Sequence, residues 1–249
     1  MKAFLGIDVG SVSTKLVVID EKDEVLAHLY SRTQGQPVRI IQEGIKYLAS
    51  ELPPGIQIAG AGTTGSARHL AGAMIGADII KNEITTHAVA TSRFLPGVQT
   101  ILEIGGQDSK IIILRDGVVI DFAMNTVCAA GTGSFLDQQA ARLSIPIEEF
   151  GEIAIKSKNP VRIAGRCAVF AESDMIHKQQ LGHSLEDISA GLCEALVRNF
   201  LSNLGKGKEI LGPIAFQGGV AANIGIKRAF EKYLKQEVFV PKYHGVMGA

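Results

Sequence analysis

The sequence predicts an α/β chain in which one plan is used twice, and three observations predict it. Short apolar runs alternate with amphipathic stretches, the pattern of strands packed under helices. The opening hairpin returns, without a gap, after Pro96. Glycine makes up 28 of 249 residues. That excess over the usual ~7% suits tight turns and close approaches of backbone to a ligand.

The elements follow in order. Residues 3–9, 15–20 and 25–30 are short apolar runs and read as an antiparallel meander, with the polar turn Glu21-Lys22-Asp23-Glu24 before the third. Pro37 opens a helix to about residue 50, with Ile40, Ile41, Gly44, Ile45 and Leu48 on one face. Pro53-Pro54-Gly55 breaks it; 56–60 is a strand, and helical stretches follow to Phe94. Pro96-Gly97 is the next strong break and divides the chain into halves 1–96 and 97–249.

Beyond that break Asp8 aligns with Glu103, Gly10 with Gly105, Ser11 with Gly106, Ser13 with Asp108, Thr14 with Ser109 and Lys15 with Lys110. Leu16-Val17-Val18-Ile19 lies over Ile111-Ile112-Ile113-Leu114, and Arg115-Asp116-Gly117 takes the place of the polar turn. Coincidence between two small-residue hairpins is the plain alternative. The strand match favours a duplicated fold with a hairpin turn from each half facing a shared cleft. The rest of the second half is more helical. Helices are predicted at 134–143, with a capping-box-like start at Ser134 and Asp137, at 147–157 and at 168–181. The longest helix runs from Ser184, with Asp187 three residues on, to Gly205. A strand at 213–217, a helix at 222–235 and a strand at 237–240 complete it.

Composition narrows the function classes. Lys+Arg and Asp+Glu are 25 each, so no bulk charge drives binding to nucleic acid or a membrane surface. Three widely spaced cysteines exclude a disulfide scaffold and point to a reducing compartment. No apolar run has the length of a membrane span, and Asp8 interrupts the first apolar stretch, unlike a secretion signal. A cytoplasmic protein is expected.

The chemistry concentrates in four places. In Gly6-Ile-Asp8-Val-Gly10-Ser11-Val-Ser13-Thr14-Lys15 a strand ends in an acid, glycine permits a tight turn, and hydroxyls and a lysine follow. Backbone N–H groups and hydroxyls in such a turn grip phosphate, the acid holds Mg²⁺ through water, and the lysine offsets charge on a transferred phosphoryl group. An ordinary polar hairpin loop is the alternative. The second copy, Glu103-Ile-Gly105-Gly106-Gln107-Asp108-Ser109-Lys110, shifts the balance towards a phosphate chain held by two acid–glycine turns. The third place is Phe216-Gln217-Gly218-Gly219-Val220-Ala221-Ala222-Asn223, a strand, a glycine pair and a helix start, suited to close packing of a base or ribose. Gly60-Ala-Gly62-Thr-Thr-Gly65 formally matches the dinucleotide pattern G-x-G-x-x-G, but Glu83, at the distance where an acid is wanted, sits at a helix start, and a structural turn is favoured.

The fourth place is the cysteines. Cys128 and Cys167 each stand before a predicted helix among small residues. A helix N-terminus favours the thiolate, the metal-binding form. Without C-x-x-C one chain cannot supply four thiolates from these positions, but a homodimer can, and four is what a [4Fe–4S] cluster takes. From spacing alone, two buried small residues remain the alternative. Cys193, among Ile188, Leu192, Leu196, Val197 and Phe200 of the long helix, reads as core, and the six histidines show no metal-ligand spacing.

The first three segments resemble the phosphate-1, phosphate-2 and adenosine motifs of the actin/hexokinase/Hsp70 ATPase superfamily, in their order and spacing. The resemblance implies two ribonuclease-H-like halves, each a mixed β-sheet flanked by helices, with ATP in the cleft between them. No Walker A pattern occurs. Cys128-Ala-Ala-Gly131-Thr132-Gly133-Ser134-Phe135-Leu136 and Gly165-Arg166-Cys167-Ala168-Val169-Phe170-Ala171-Glu172-Ser173-Asp174 further resemble the activators of 2-hydroxyacyl-CoA dehydratases, the BadF/BadG-type CoA-enzyme activases. That resemblance implies a homodimer holding one [4Fe–4S] cluster through Cys128 and Cys167 of each subunit. Reduced ferredoxin or flavodoxin would be the donor, and a dehydratase or reductase component with its own Fe–S cluster the acceptor. It implies Gly10, Ser11, Ser13, Thr14, Lys15, Gly105, Gly106 and Gln107 on the phosphates of ATP or ADP, and N–H donors from Gly131, Thr132 and Gly133. Gly218, Gly219, Val220 and Asn223 fall on the adenosine side. Asp8 and Glu103 are candidates for holding Mg²⁺ through water, and Asp108 for placing the attacking water. Members usually continue past Met247-Gly248-Ala249 with a closing helix. A small-molecule kinase of the same superfamily, or an ATP-regulated binding or assembly protein, are the rival readings.

Overall fold

The structure is a computed structural model and describes residues 1–125 and 128–249. It divides into two units, Met1–Arg93 with Gly245–Ala249, and Phe94–His244. The final five residues, assigned above to the second half, belong with the first, where a Cβ on Gly6 would fall 2.5 Å from the Ala249 carbonyl carbon.

In the first unit β1 (Lys2–Val9), β2 (Ser13–Asp20) and β3 (Val25–Arg32) form the expected meander. α1 (Pro37–Glu51) follows, with proline in its first turn. Its Gly44 lets the helix lie against the sheet; a Cβ there would come 2.9 Å from Leu16 Cδ1. Then come β4 (Gln57–Thr64), α2 (Arg68–Ile75), β5 (Ile79–Ile80) and α3 (Glu83–Phe94). The sheet order is β3-β2-β1-β4-β5, with β4 parallel to β1. Ile7, Val9, Leu16 and Val18 bury one face under Ile41 and Leu48 of α1.

The second unit opens with β6 (Thr100–Ile104), β7 (Ser109–Arg115) and β8 (Val118–Asn125). A 3-10 turn (Ala129–Gly131) leads to α4 (Gly133–Arg142), α5 (Ile147–Ala154), α6 (Ala168–Gln180) and α7 (Leu185–Asn203). β9 (Ile214–Gln217), a second 3-10 turn (Gly219–Ala222), α8 (Ile224–Leu234) and β10 (Val238–Phe239) close it. The sheet order, β10-β9-β6-β7-β8, repeats that of the first unit read from its other edge.

The duplication holds residue by residue. Asp8 pairs across the hairpin with Lys15, and Glu103 with Lys110. Gly10 N–H donates to the Ser13 carbonyl at 2.9 Å, and Gly105 N–H to the Asp108 carbonyl at 3.0 Å. These are two mixed five-stranded sheets flanked by helices, the duplicated ribonuclease-H-like fold.

Two local expectations are corrected. β8 was not named in the sequence reading, although large apolar side chains alternate with Asp121, Ala123 and Asn125 along it; the repeat demands it as the counterpart of β3. Ser134 does not cap α4: Thr132 holds that position, and the Ser134 hydroxyl donates to the Gly106 carbonyl at 2.6 Å. Ser184 does cap α7, accepting from Asp187 N–H at 3.2 Å. Among the described residues no helix is long and apolar enough to cross a membrane.

Candidate functional site

In the first unit β1 carries Asp8 to the hairpin turn. Lys15 reaches back across the turn, its Nζ 3.0 Å from Asp8 Oδ2. Gly10 lies within the turn, and Ser11 is exposed at its tip. Side chains alternate along a strand, so Ser13 and Lys15 share one face of β2 and Thr14 takes the other. The buried Thr14 hydroxyl meets that of Thr33 at 2.9 Å, and Thr33 donates to the Gly10 carbonyl at 3.0 Å. Thr14 therefore braces the turn from the core side, a correction to its place among the phosphate-facing hydroxyls.

Two glycines beside Asp8, and a histidine beside one of them, were not foreseen. Gly65, at the end of β4, has φ +92°, and a Cβ there would overlap the Val9 carbonyl and lie 2.5 Å from Asp8 Oδ1. A Cβ on Gly248 would fall 2.9 Å from Asp8 Oδ2 and 3.1 Å from Nε2 of His87, which is buried in α3. The closing glycine of the dinucleotide-like pattern thus serves a structural turn beside the acid.

The second unit repeats this arrangement. Glu103 Oε2 is 2.9 Å from Lys110 Nζ, and Asp108 Oδ2 is 3.0 Å from the same nitrogen. Gly218, φ +90°, stands at the end of β9 as Gly65 does at the end of β4. A Cβ there would overlap the Ile104 carbonyl and lie 2.8 Å from Glu103 Oε1. Lys110, buried between two carboxylates, is a residue the sequence reading aligned but gave no role.

The start of α4 joins this group. Gly133 N–H donates to the Gly105 carbonyl at 2.9 Å and Ser134 N–H to the Gly106 carbonyl at 2.8 Å. A Cβ on Gly133 would come 3.1 Å from Val220 Cγ2. Glu103, Gly105, Gly106, Gly133, Gly218 and Val220 are therefore brought together. Gln107 is exposed at its turn, and Gly219 opens the second 3-10 turn. The N–H groups of Thr132 and Gly133 already donate to the Ala129 and Gly105 carbonyls. Thr132 N–H closes its own 3-10 turn and Gly133 N–H fixes the helix start to the second acid–glycine turn, so neither stands as an open donor. Asn223 caps α8, its Oδ1 accepting from Ile226 N–H at 3.1 Å, and faces Gly151.

Cys128 precedes the 3-10 turn and Cys167 caps α6; both thiols are free and half-buried, and neither side chain is spent on a cap hydrogen bond. Asn125 holds the first loop: it accepts from Cys128 N–H at 3.0 Å and donates to the Cys128 carbonyl at 2.8 Å. Cys193 is core, as expected, and burial pushes its thiol pKa up. Among the described residues no group of three or more His, Cys, Asp and Glu is placed to hold a metal ion. A chain with two accessible thiols at helix starts offers half of a four-thiolate set, which fits a cluster shared between two copies. Asp8 and Glu103, buried oxygen donors at strand ends, fit Mg²⁺ held through water.

The profile of the BadF/BadG/BcrA/BcrD ATPase family matches residues 5–249. The chain is 34% identical over 254 residues to the (R)-2-hydroxyglutaryl-CoA dehydratase activating ATPase of Acidaminococcus fermentans, covering 98% of this chain and 94% of that protein. It is 34% identical over 252 residues to the activator of lactoyl-CoA dehydratase of Anaerotignum propionicum, covering 98% and 95%. Among solved structures, the activator of the 2-hydroxyisocaproyl-CoA dehydratase from Clostridium difficile with bound ADPNP superposes with a TM-score of 0.89. It has 31% sequence identity over 99% of this chain and 91% of that one.

Proposed function

Because the chain belongs to the BadF/BadG/BcrA/BcrD ATPase family, we propose that it is an ATP-driven one-electron donor to a CoA-thioester dehydratase or reductase component. The observation that carries this is the pair of half-buried thiols, Cys128 and Cys167, in the same unit whose α4 start is stitched to an acid–glycine turn. Relatives named as dehydratase activators support the partner class, and the ADPNP-bound neighbour supports the nucleotide.

The roles divide by residue. Gly10, Ser11, Ser13 and Lys15 of the first turn bind phosphate oxygens, as do Gly105, Gly106 and Gln107 of the second. Asp8 and Glu103 hold the water shell of Mg²⁺, and Asp108 orients the attacking water. Gly218, Gly219 and Val220 pack against the nucleoside, and Asn223 sets the direction of α8 behind them. Cys128 and Cys167 hold, with the same pair from a second copy, a [4Fe–4S] cluster. Such a cluster supplies one-electron reduction when loaded by ferredoxin or flavodoxin. Edge strand β8 supports the second copy: Val118, Ile120, Phe122 and Met124 are all exposed on one of its faces, and the strand runs directly into Asn125 and the Cys128 loop.

Anaerobic purification with iron analysis and visible spectra tests this, with Cys128→Ser and Cys167→Ser alongside. Four irons per dimer, lost in both variants, are expected. A colourless protein that resists reconstitution yet phosphorylates a sugar would overturn the reading in favour of a kinase.

A further inference from the structure

α7 is buried along most of its length, and one of the few polar side chains inside it is Asn199, 1% exposed. A buried amide costs free energy unless its donors and acceptor are met. Those of Asn199 are met by an informative set of partners. Nδ2 donates to the Gly165 carbonyl at 2.6 Å and lies 3.5 Å from that of Arg166, the two residues directly before Cys167. Oδ1 accepts from Asn203 Nδ2 at 3.1 Å. The same oxygen lies against Gly131, the end of the turn that Cys128 begins: a Cβ on Gly131 would fall 2.7 Å from it. One side chain therefore touches the backbone of both cysteine loops. Gln139, a fully buried amide in α4, has no hydrogen-bond partner on either amide atom among the described residues, so burial alone does not tie an amide to its surroundings.

The contact continues on the Gly131 side. Two residues on, Gly133 and Ser134 are bonded to the Gly105 and Gly106 carbonyls. A connected run thus leads from the second phosphate turn, through the start of α4 and Asn199, to the loop of Cys167. Cys128 is held differently, by Asn125.

We propose that Asn199 is a positioning residue that couples the turn at Gly105-Gly106 to the Cys167 loop, so that nucleotide bound at the turn alters the setting of the Cys167 thiol. The inference rests on the nucleotide and thiol roles assigned above. A ligand shifts a conformational equilibrium only by its differential affinity for the two states, and a packed, hydrogen-bonded contact carries that difference onward. Gly131, having no Cβ, lets the carboxamide oxygen lie close against its turn, and Gly165 packs on α7 itself, where a Cβ would come 2.8 Å from the Ala195 carbonyl. A shift of the α4 start is therefore passed to the Gly165 carbonyl.

The test uses the metal-free protein under anaerobic conditions. Alkylation of Cys128 and Cys167 by iodoacetamide is followed by peptide mass spectrometry, with and without ADPNP. In the wild type the Cys167 rate changes about fivefold or more with nucleotide, the lower end of ordinary coupling. In Asn199→Ala that ratio collapses towards one, while the Cys128 ratio is kept. Asn203→Ala, which releases Oδ1 but leaves the Gly165 bond, gives an intermediate ratio, and it carries the test should Asn199→Ala fail to fold by circular dichroism. An Asn199→Ala protein whose Cys167 responds to ADPNP as the wild type does overturns the proposal. So does a wild type that binds ADPNP without any change at Cys167. Iron analysis separates the two ideas: iron held with no coupling sinks the role of Asn199 alone, and coupling without iron sinks the cluster alone.

Discussion

The two hairpin turns are copies of one design and differ at one residue that decides what each lysine can do. Ser13 of the first turn is Asp108 in the second. Lys15 pairs with Asp8, and its side chain is 16% exposed; Lys110 pairs with Glu103 and Asp108 and is 2% exposed. An ammonium with some access to solvent can turn towards a phosphate. One enclosed by two carboxylates holds them in place instead. The pair teaches that equivalent lysines in a duplicated fold need not share a role: on the function proposed above Lys15 belongs to the phosphate grip, whereas Lys110 is the post on which Glu103 and Asp108 are set.

The sharpest way to break this comparison is to remove each lysine. Lys110→Met leaves two carboxylates beside each other with one buried, and is expected to cost ~3–5 kcal/mol, the range for breaking a buried ion pair. Lys15→Met costs less, about 1–3 kcal/mol, because its pair with Asp8 is the more open to solvent. Its effect on ATP hydrolysis is the larger, on the order of a 10²-fold fall, typical of a lost charge-stabilising group. Urea unfolding and steady-state phosphate release measure both. If the two variants lost equal stability, the second carboxylate would have no structural weight.

Much of this design was legible in the sequence. The repeat from Asp8-to-Lys15 onto Glu103-to-Lys110 marked both hairpins, while the acid–lysine pairs emerged only in the structure, where strand pairing turns a linear spacing into a cross-strand contact. Cys193 was legible for a similar reason, its helix spacing placing it with Ile188, Leu192 and Leu196. What was not legible depends on approach in space. Gly65 and Gly218 lie far from their acids in sequence and meet them only because β4 and β9 run parallel to β1 and β6. His87 shows no ligand spacing and comes beside Gly248, as Asp8 does, only through the packing of α3. Thr14 carried the right chemistry but the wrong parity for the face that bears Lys15. Asn199 gave no signal at all, since a single amide in an apolar helix is read as a tolerated exception until its partners are seen.

The glycines sharpen the comparison from the other side. Gly65 and Gly218 occupy matching strand ends with φ of +92° and +90°, and each crowds an acid and a carbonyl. Alanine at either is expected to cost at least ~1–3 kcal/mol of backbone strain. Gly65→Ala should disturb Asp8 and Gly218→Ala should disturb Glu103, so both should weaken ADPNP binding measured by calorimetry. Should Gly65→Ala bind ADPNP as tightly as the wild type, the first of these glycines would be a turn with no bearing on the site.

The sheet edges extend the contrast beyond the turns. β3 and β8 hold equivalent places, yet β3 exposes His28, Tyr30 and Arg32 where β8 exposes Val118, Ile120, Phe122 and Met124. An apolar edge is a surface for another chain. On the homodimer proposed above, Ile120→Glu with Phe122→Glu is expected to give a monomer by sedimentation velocity. The monomer's own thermal stability should change little, because both side chains are exposed in a single copy. A double variant that remains dimeric would move the interface elsewhere.

The smallest expected effect concerns a carboxylate held without any lysine. Asp187 is gripped by the Ser157 hydroxyl at 2.6 Å and by Asn159 N–H at 3.1 Å. The Ser157 hydroxyl first, and then the backbone donor, hold its pKa below the usual carboxylate value. A carboxylate whose pKa is depressed by folding contributes stability that is present above its unfolded pKa, near 3.9, and is lost as pH falls through the folded value. Ser157→Ala removes the chief cause of that depression. The wild type should therefore exceed the variant slightly in urea midpoint at pH 7, and the gap should narrow as pH falls below about 4, where both lose the charge. A gap undiminished at pH 3 would mean that the hydroxyl acts through packing. Asp187 would then cease to be the neutral-donor counterpart against which the lysine-held acids Asp8 and Glu103 are compared.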